Sequence, residues 1–133
     1  MSLRASAACA LACVLLVVCP GTASLGAAPP RVTLTDVDGR AVDPFLAAES
    51  SDAILFLFAS VDCPVSNRYA PEVQRLHAAF APKNVAFWLV YPNPYESAQQ
   101  VREHLQAFSY PVHALLDPRH ELVKLAKVTI TPE

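Results

Sequence analysis

The sequence offers no apolar run long enough for a comfortable membrane span, no dominance of either charge, and no phosphate-cradling loop, paired acid site or serine triad. Ten lysines and arginines stand against twelve aspartates and glutamates, with the two signs interspersed. That balance leaves no electrostatic footprint for nucleic acid or for an anionic lipid surface. The four histidines, His77, His104, His113 and His120, have no metal-ligand spacing among themselves or with Cys63, so no metal and no other cofactor is expected. Internal repeats and low-complexity tracts are lacking too. At 133 residues, 53% of them hydrophobic, the chain suits one small globular domain and not two.

Cysteine is the most telling shortage. Three of the four, Cys9, Cys13 and Cys19, fall in or at the edge of "MSLRASAACALACVLLVVCPGTAS", where Arg4 precedes an apolar run from Ala5 to Val18 and then small residues. This is the pattern of a secretory signal peptide over residues 1–24, with cleavage expected after Ala23 or Ser24. A lipid anchor at Cys19 is disfavoured, because bulky Val18 stands where a small residue is needed. Residues 25–30 read as a short linker and 31–133 as the folded domain, exported to a periplasmic or extracellular space without a membrane span. Cys63 is then its sole cysteine, which excludes an internal disulfide and leaves a thiol that is buried, paired with another molecule, or reactive.

The remaining sequence switches between two periodicities. In "RVTLTDVDGRAVDPF", Val32, Leu34 and Val37 alternate with polar residues around Asp38-Gly39, which predicts a hairpin with a tight turn. "AILFLFAS" is a continuous apolar run, as expected of a central strand covered on both faces. From Asn67 the spacing predicts a helix with Tyr69, Val73, Leu76 and Phe80 on its buried face and Pro71 inside it. "NVAFWLVYP" reads as a second buried strand, and Ser97 with Gln100 forms a capping box for a helix that buries Ala98, Val101, Leu105 and Phe108. "YPVHALLD" reads as a third strand. Asp117 then caps a short helix with Pro118 at its first position and Leu122 and Leu125 inward. Strands alternating with helices predict right-handed crossovers and a largely parallel sheet with helices on both faces.

Cys63 lies where a buried strand gives way to a helix, in "SVDCPVSNRYAP". That junction exposes a side chain at the carboxyl edge of a sheet, where open α/β proteins bind ligands. Helix-terminal amides favour a thiolate there, Asp62 opposes it, and Arg68 is close enough in sequence to help. The bland alternative is a small buried hydrophobe, since free cysteines are often inert core residues, but position and context favour a reactive thiol. For His77, beside the predicted apolar stripe, a partly buried rim position outweighs a catalytic one. Trp88, Tyr91 and Tyr95 are adequately explained by packing.

The run "LFLFASVDCPVSNRYAPEV", followed by "LLDPRHELVKLAKVTITPE", resembles the thioredoxin-like superfamily, and especially the redoxins that include alkyl hydroperoxide reductase and thiol-specific antioxidant proteins. The matching features are a strand ending in Ala59-Ser60, then Cys63-Pro64, then Pro71-Glu72, then Thr131-Pro132, and they span about residues 31 to 133. The resemblance implies an α/β thioredoxin-like fold: a central mixed sheet flanked by helices, with an N-terminal hairpin. It also implies a cis Pro132 beside the cysteine, and further strands and a helix after that proline, so that the chain is expected to be truncated there.

The same resemblance assigns roles. Cys63 is the nucleophile, Ser60 stands where peroxiredoxins carry a threonine hydroxyl, and Ser66 tunes the thiol by a hydrogen bond or, more simply, caps the helix. Pro64, Thr131 and Pro132 line the substrate groove. Three departures shape the mechanism: Ser66 occupies the place of a second, resolving cysteine, Phe56 occupies the place of a peroxiredoxin proline, and the family's supporting arginine is missing. The expected protein is an exported thiol-dependent oxidoreductase that uses one cysteine on peroxide or on protein thiol and disulfide substrates. An external thiol reductant or partner thioredoxin would close its cycle. The alternative is a non-catalytic thioredoxin-like binding module, or a fragment of a larger secreted protein.

Overall fold

In the computed structural model the described residues are 30–129. The signal segment, Cys19, Thr131 and Pro132 lie outside them. The chain opens with a hairpin of β1 (Leu34–Asp36) and β2 (Ala41–Val42), paired antiparallel. Gly39 takes φ +83° in the turn, a conformation that only glycine adopts without strain, while the Asp36 carboxylate accepts from the amides of Asp38 and Arg40 at 2.8 Å each. A short helix not anticipated from sequence, α1 (Pro44–Ala47), follows because Asp43 accepts from the amides of Phe45 and Leu46 and Pro44 sits at the helix start.

Next come β3 (Ala53–Phe58), α2 (Pro64–Phe80), β4 (Val85–Tyr91), α3 (Ala98–Ala107), β5 (His113–Leu116) and α4 (Glu121–Ala126). The five strands form one mixed sheet in the order β2-β1-β5-β4-β3, with β3, β4 and β5 parallel and β1 antiparallel to β5. Side chains alternate across it. Leu89 and Tyr91 of β4 pack with Ala59, Ala70, Val73, Val101, Tyr110 and Ala114 against α2 and α3. Phe58, Val90 and Leu115 turn the other way, with Val32, Leu34 and Leu122, against α1 and α4. Helices therefore cover both faces, as the alternation of strands and helices predicts. No helix among the described residues is long and apolar enough to cross a membrane.

Four details differ from the sequence-based expectation. Among the described residues β3 is an edge strand, hydrogen-bonded only to β4; both its faces are covered, and apolarity reports that cover and not lateral position. Helix α2 begins at Pro64, not near Asn67, and buries Ser66, Ala70 and Val73, whereas Tyr69 is 54% and Phe80 41% exposed. The small Ser66 and Ala70 let the helix approach the sheet closely, and a stripe weighted by size points a fraction of a turn away from them. Helix α4 starts at Glu121 and not at Pro118, because Pro118 and Arg119 make a turn and His120 adopts φ 57°. Asp117 nevertheless serves as the cap: its buried carboxylate accepts from the amides of Glu121, Leu122 and Val123 at 2.7, 2.9 and 3.0 Å. Finally, Leu122 is 1% exposed while Leu125 is 44% exposed, so only the former faces the core.

Candidate functional site

The end of β3 and the start of α2 deliver Cys63 to the carboxyl edge of the sheet. Ala59 continues the pairing, its amide donating to the Val90 carbonyl at 2.9 Å, and the chain then turns, with the Cys63 amide donating to the Ser60 carbonyl at 3.3 Å. Cys63 is the residue immediately before the helix, at φ −83° and ψ 110°, with Pro64 in the first turn, where its missing amide costs no hydrogen bond. Its side chain is half-buried and free of any disulfide. The thiol is held below its ordinary range, first by the Ser66 backbone amide and then by the Ser66 hydroxyl, against an opposing effect of desolvation, with the Val65 amide helping least. Ser66 is therefore not the helix cap. It lies in the first turn, buried, and its hydroxyl also accepts from the Ser60 amide at 3.5 Å.

Ser60 has a different partner from the one its spacing suggests. Its hydroxyl donates to the Glu96 Oε1 at 2.5 Å, and the same oxygen accepts from the Val61 amide at 2.9 Å and the Asn93 side-chain amide at 3.4 Å. Glu96 is buried, on the loop between β4 and α3, and its second oxygen has no hydrogen-bond partner.

Beneath the turn lies a second polar chain. His104 on α3 pairs its Nε2 with the Asn67 side-chain oxygen at 2.7 Å and its Nδ1 with the Tyr91 hydroxyl at 2.8 Å. A neutral imidazole that donates from Nε2 and accepts at Nδ1 satisfies both. Burial holds His104 below its ordinary pKa, with Glu96 and Asp62 opposing, and burial pushes the Tyr91 and Tyr110 phenols up. The Tyr110 hydroxyl donates to the Ser66 carbonyl at 3.2 Å, which adds a third tie to the first turn of α2.

The other histidines stay away from this cluster. His77 is half-buried with its ring edge-on to Phe87 at 5.1 Å, His113 lies against Trp88, and His120 bonds the Pro92 carbonyl. No group of three or more His, Cys, Asp or Glu side chains able to hold a metal occurs among the described residues. Pro64 is exposed beside Cys63. Glu96 and Asn67 were invisible to motif reading, since each gains its role from a contact with a residue distant in sequence or from the opposite wall. The one available signal was the placement of Glu96 on the loop that follows a buried strand parallel to the one that leads to Cys63.

Residues 25–133 match the AhpC/TSA family, a span that includes every element of the site. The chain belongs to the AhpC/TSA family. No curated protein matches it. Among solved structures it is similar to an uncharacterized conserved protein from Geobacillus kaustophilus, at 29% identity and TM-score 0.67, over 77% of this chain and 57% of that one. It is similar also to a hypothetical protein from Sinorhizobium meliloti, at 21% identity and TM-score 0.69, over 77% and 58%. A secreted disulfide oxidoreductase from Mycobacterium tuberculosis shares 18% identity and TM-score 0.63, over 77% and 72%. The chain thus spans less than two thirds of the length of the first two. These likenesses establish the thioredoxin-like α/β fold of this AhpC/TSA protein, with its five-stranded mixed sheet flanked by helices.

Proposed function

We propose that this AhpC/TSA protein is an exported thiol oxidoreductase that works with one sulfur, Cys63. The observation that carries the reading is the place of Cys63, half-buried at the carboxyl edge of the sheet immediately before α2, where the Ser66 amide and hydroxyl lower the pKa of its thiol and favour the thiolate. Cys63 is the free cysteine of the described residues, and Ser66 cannot form a disulfide with it. Toward a disulfide, the Cys63 thiolate forms a new S–S bond as the old one breaks, and the displaced sulfur leaves as a thiolate. Toward a peroxide, the sulfur takes one oxygen to become a sulfenic acid, the O–O bond breaks, and the departing oxygen takes up a proton. From the mixed disulfide, one external thiol, from a small molecule or a partner thioredoxin, bonds the substrate sulfur and displaces Cys63 as its thiolate; from the sulfenic acid, a first external thiol forms a mixed disulfide with Cys63 and releases water, and a second displaces the Cys63 thiolate. Export rests on the N-terminal signal pattern.

The test is to expose the full chain to hydrogen peroxide or to hydroxyethyl disulfide and quantify the sulfenic acid or mixed disulfide on the Cys63 peptide by mass spectrometry. A rate above that of free cysteine toward one of the two reagents is expected. A thiol no faster than free cysteine toward both would favour a non-catalytic binding module.

A further inference from the structure

We infer that Glu96 is a positioning residue that withholds the Ser60 hydroxyl from Cys63 and so sets this site for thiol–disulfide exchange over peroxide reduction. The inference rests on the functional reading above, in which Cys63 is the nucleophile.

Two serine hydroxyls flank the turn that carries Cys63, and they are engaged differently. Ser66, buried in the first turn of α2, lowers the pKa of the thiol through its amide and its hydroxyl. Ser60 is joined to Cys63 through the backbone bond of the turn, at 3.3 Å, yet its hydroxyl donates to Glu96 at 2.5 Å, and it is not among the groups that lower the pKa of the thiol. A hydroxyl has one proton to donate. Glu96 keeps that proton because it is buried at 8% exposure and anchored a second time by the Val61 amide at 2.9 Å and a third by the Asn93 side chain at 3.4 Å. Its other oxygen has no hydrogen-bond partner, so the contacts that hold Glu96 all fall on the oxygen that faces the turn.

The two candidate reactions differ in their need for a proton donor. In disulfide exchange the Cys63 thiolate forms one S–S bond while another breaks, and the leaving thiolate is stable without protonation. In peroxide reduction the sulfur takes one oxygen, the O–O bond breaks, and the other oxygen departs as hydroxide, a far more basic group that benefits from a hydroxyl donor in the transition state. With Ser60 turned to Glu96, that donor is missing from the upstream side of the turn.

The experiment compares the wild-type full chain with S60A, E96L, E96Q and the S60A/E96L double variant. Oxidation at the Cys63 peptide by hydrogen peroxide and exchange with hydroxyethyl disulfide are followed by mass spectrometry. In the wild-type background, S60A is expected to change the peroxide rate by less than about twofold, since the hydroxyl is already diverted. E96L, which removes the acceptor, is expected to raise the peroxide rate about tenfold relative to the disulfide rate, and S60A/E96L to abolish that gain. E96Q still offers an acceptor oxygen and is expected to stay near wild type. A purely structural Glu96 would slow both reactions together and would show no dependence on Ser60. The inference is overturned if S60A alone slows peroxide oxidation about tenfold, or if E96L leaves the ratio of the two rates unchanged, whether or not E96L is less stable. A wild-type thiol that outpaces free cysteine toward neither reagent overturns the functional reading itself, which the ratio in a reactive protein does not.

Discussion

His104 on α3 holds Asn67 on α2 through a 2.7 Å bond from ring Nε2 to the amide oxygen, and so joins the helix that begins just after Cys63 to its neighbour. The bond lies one turn below Cys63, under the buried Ser66. Both partners are polar and largely shut away from water, so either one left alone would carry a desolvation penalty.

Stability should therefore fall with pH in a way that depends on His104. Burial holds its folded-state pKa below the ordinary 6.5, so the unfolded chain binds the proton more readily than the folded one. The contribution is fully present above pH 6.5 and is lost as pH falls below it toward the folded value. Urea unfolding of the wild type at pH 7.5 and 5.5 should show lower stability at the acid end, and H104Q should flatten that slope.

Removing the Tyr91 hydroxyl tests the other end of the same chain. Y91F leaves the ring in place but takes the 2.8 Å donor from His104 Nδ1. A loss of about 1–2 kcal/mol is expected from denaturant titration. An unchanged midpoint would mean that the bond adds nothing net.

The Cys63 thiol should be alkylated at a lower pH than free cysteine, because the Ser66 amide and hydroxyl favour the thiolate. S66A removes the hydroxyl and keeps the amide, so the midpoint of the pH–rate profile for iodoacetamide should move upward but not all the way to that of free cysteine. Mass spectrometry of the Cys63 peptide reads this directly.

Asp117 should matter more than its exposed neighbours Pro118 and Arg119. D117A deprives three amides of α4 of their acceptor and should cost about 2 kcal/mol, with faster hydrogen exchange at Glu121, Leu122 and Val123.

The two leucines of α4 should separate cleanly. L122A removes a side chain that is 1% exposed and should cost about 2–4 kcal/mol, whereas L125A, at a position 44% exposed, should stay within about 0.5 kcal/mol by thermal unfolding.

Much of this molecule was legible because its signals are local. The hairpin at Asp38-Gly39, the capping box of Ser97 and Gln100, and the Asp117 cap each involve residues within a few positions of one another, and all three occur. Helix faces were harder to read. Tyr69 and Phe80 promised burial by size, but the sheet admits the small Ser66 and Ala70 and leaves the large rings outside. The edge position that β3 holds among the described residues had no local signature, since a strand covered on both faces looks equally apolar at the edge and in the middle.

By itself, the sequence determined that strands and helices alternate and that Cys63 sits at the junction of a strand and a helix, since those properties depend on short-range periodicity and helix-start chemistry. Tertiary structure decided what surrounds the sulfur. The parallel register that sets Phe58 beside Val90 brings Glu96 to Ser60 across 36 positions, and packing of α3 on α2 brings His104 to Asn67 across 37. A hydroxyl three residues before a cysteine can turn either way along the chain. Only the carboxylate delivered by the next strand settles that it turns away.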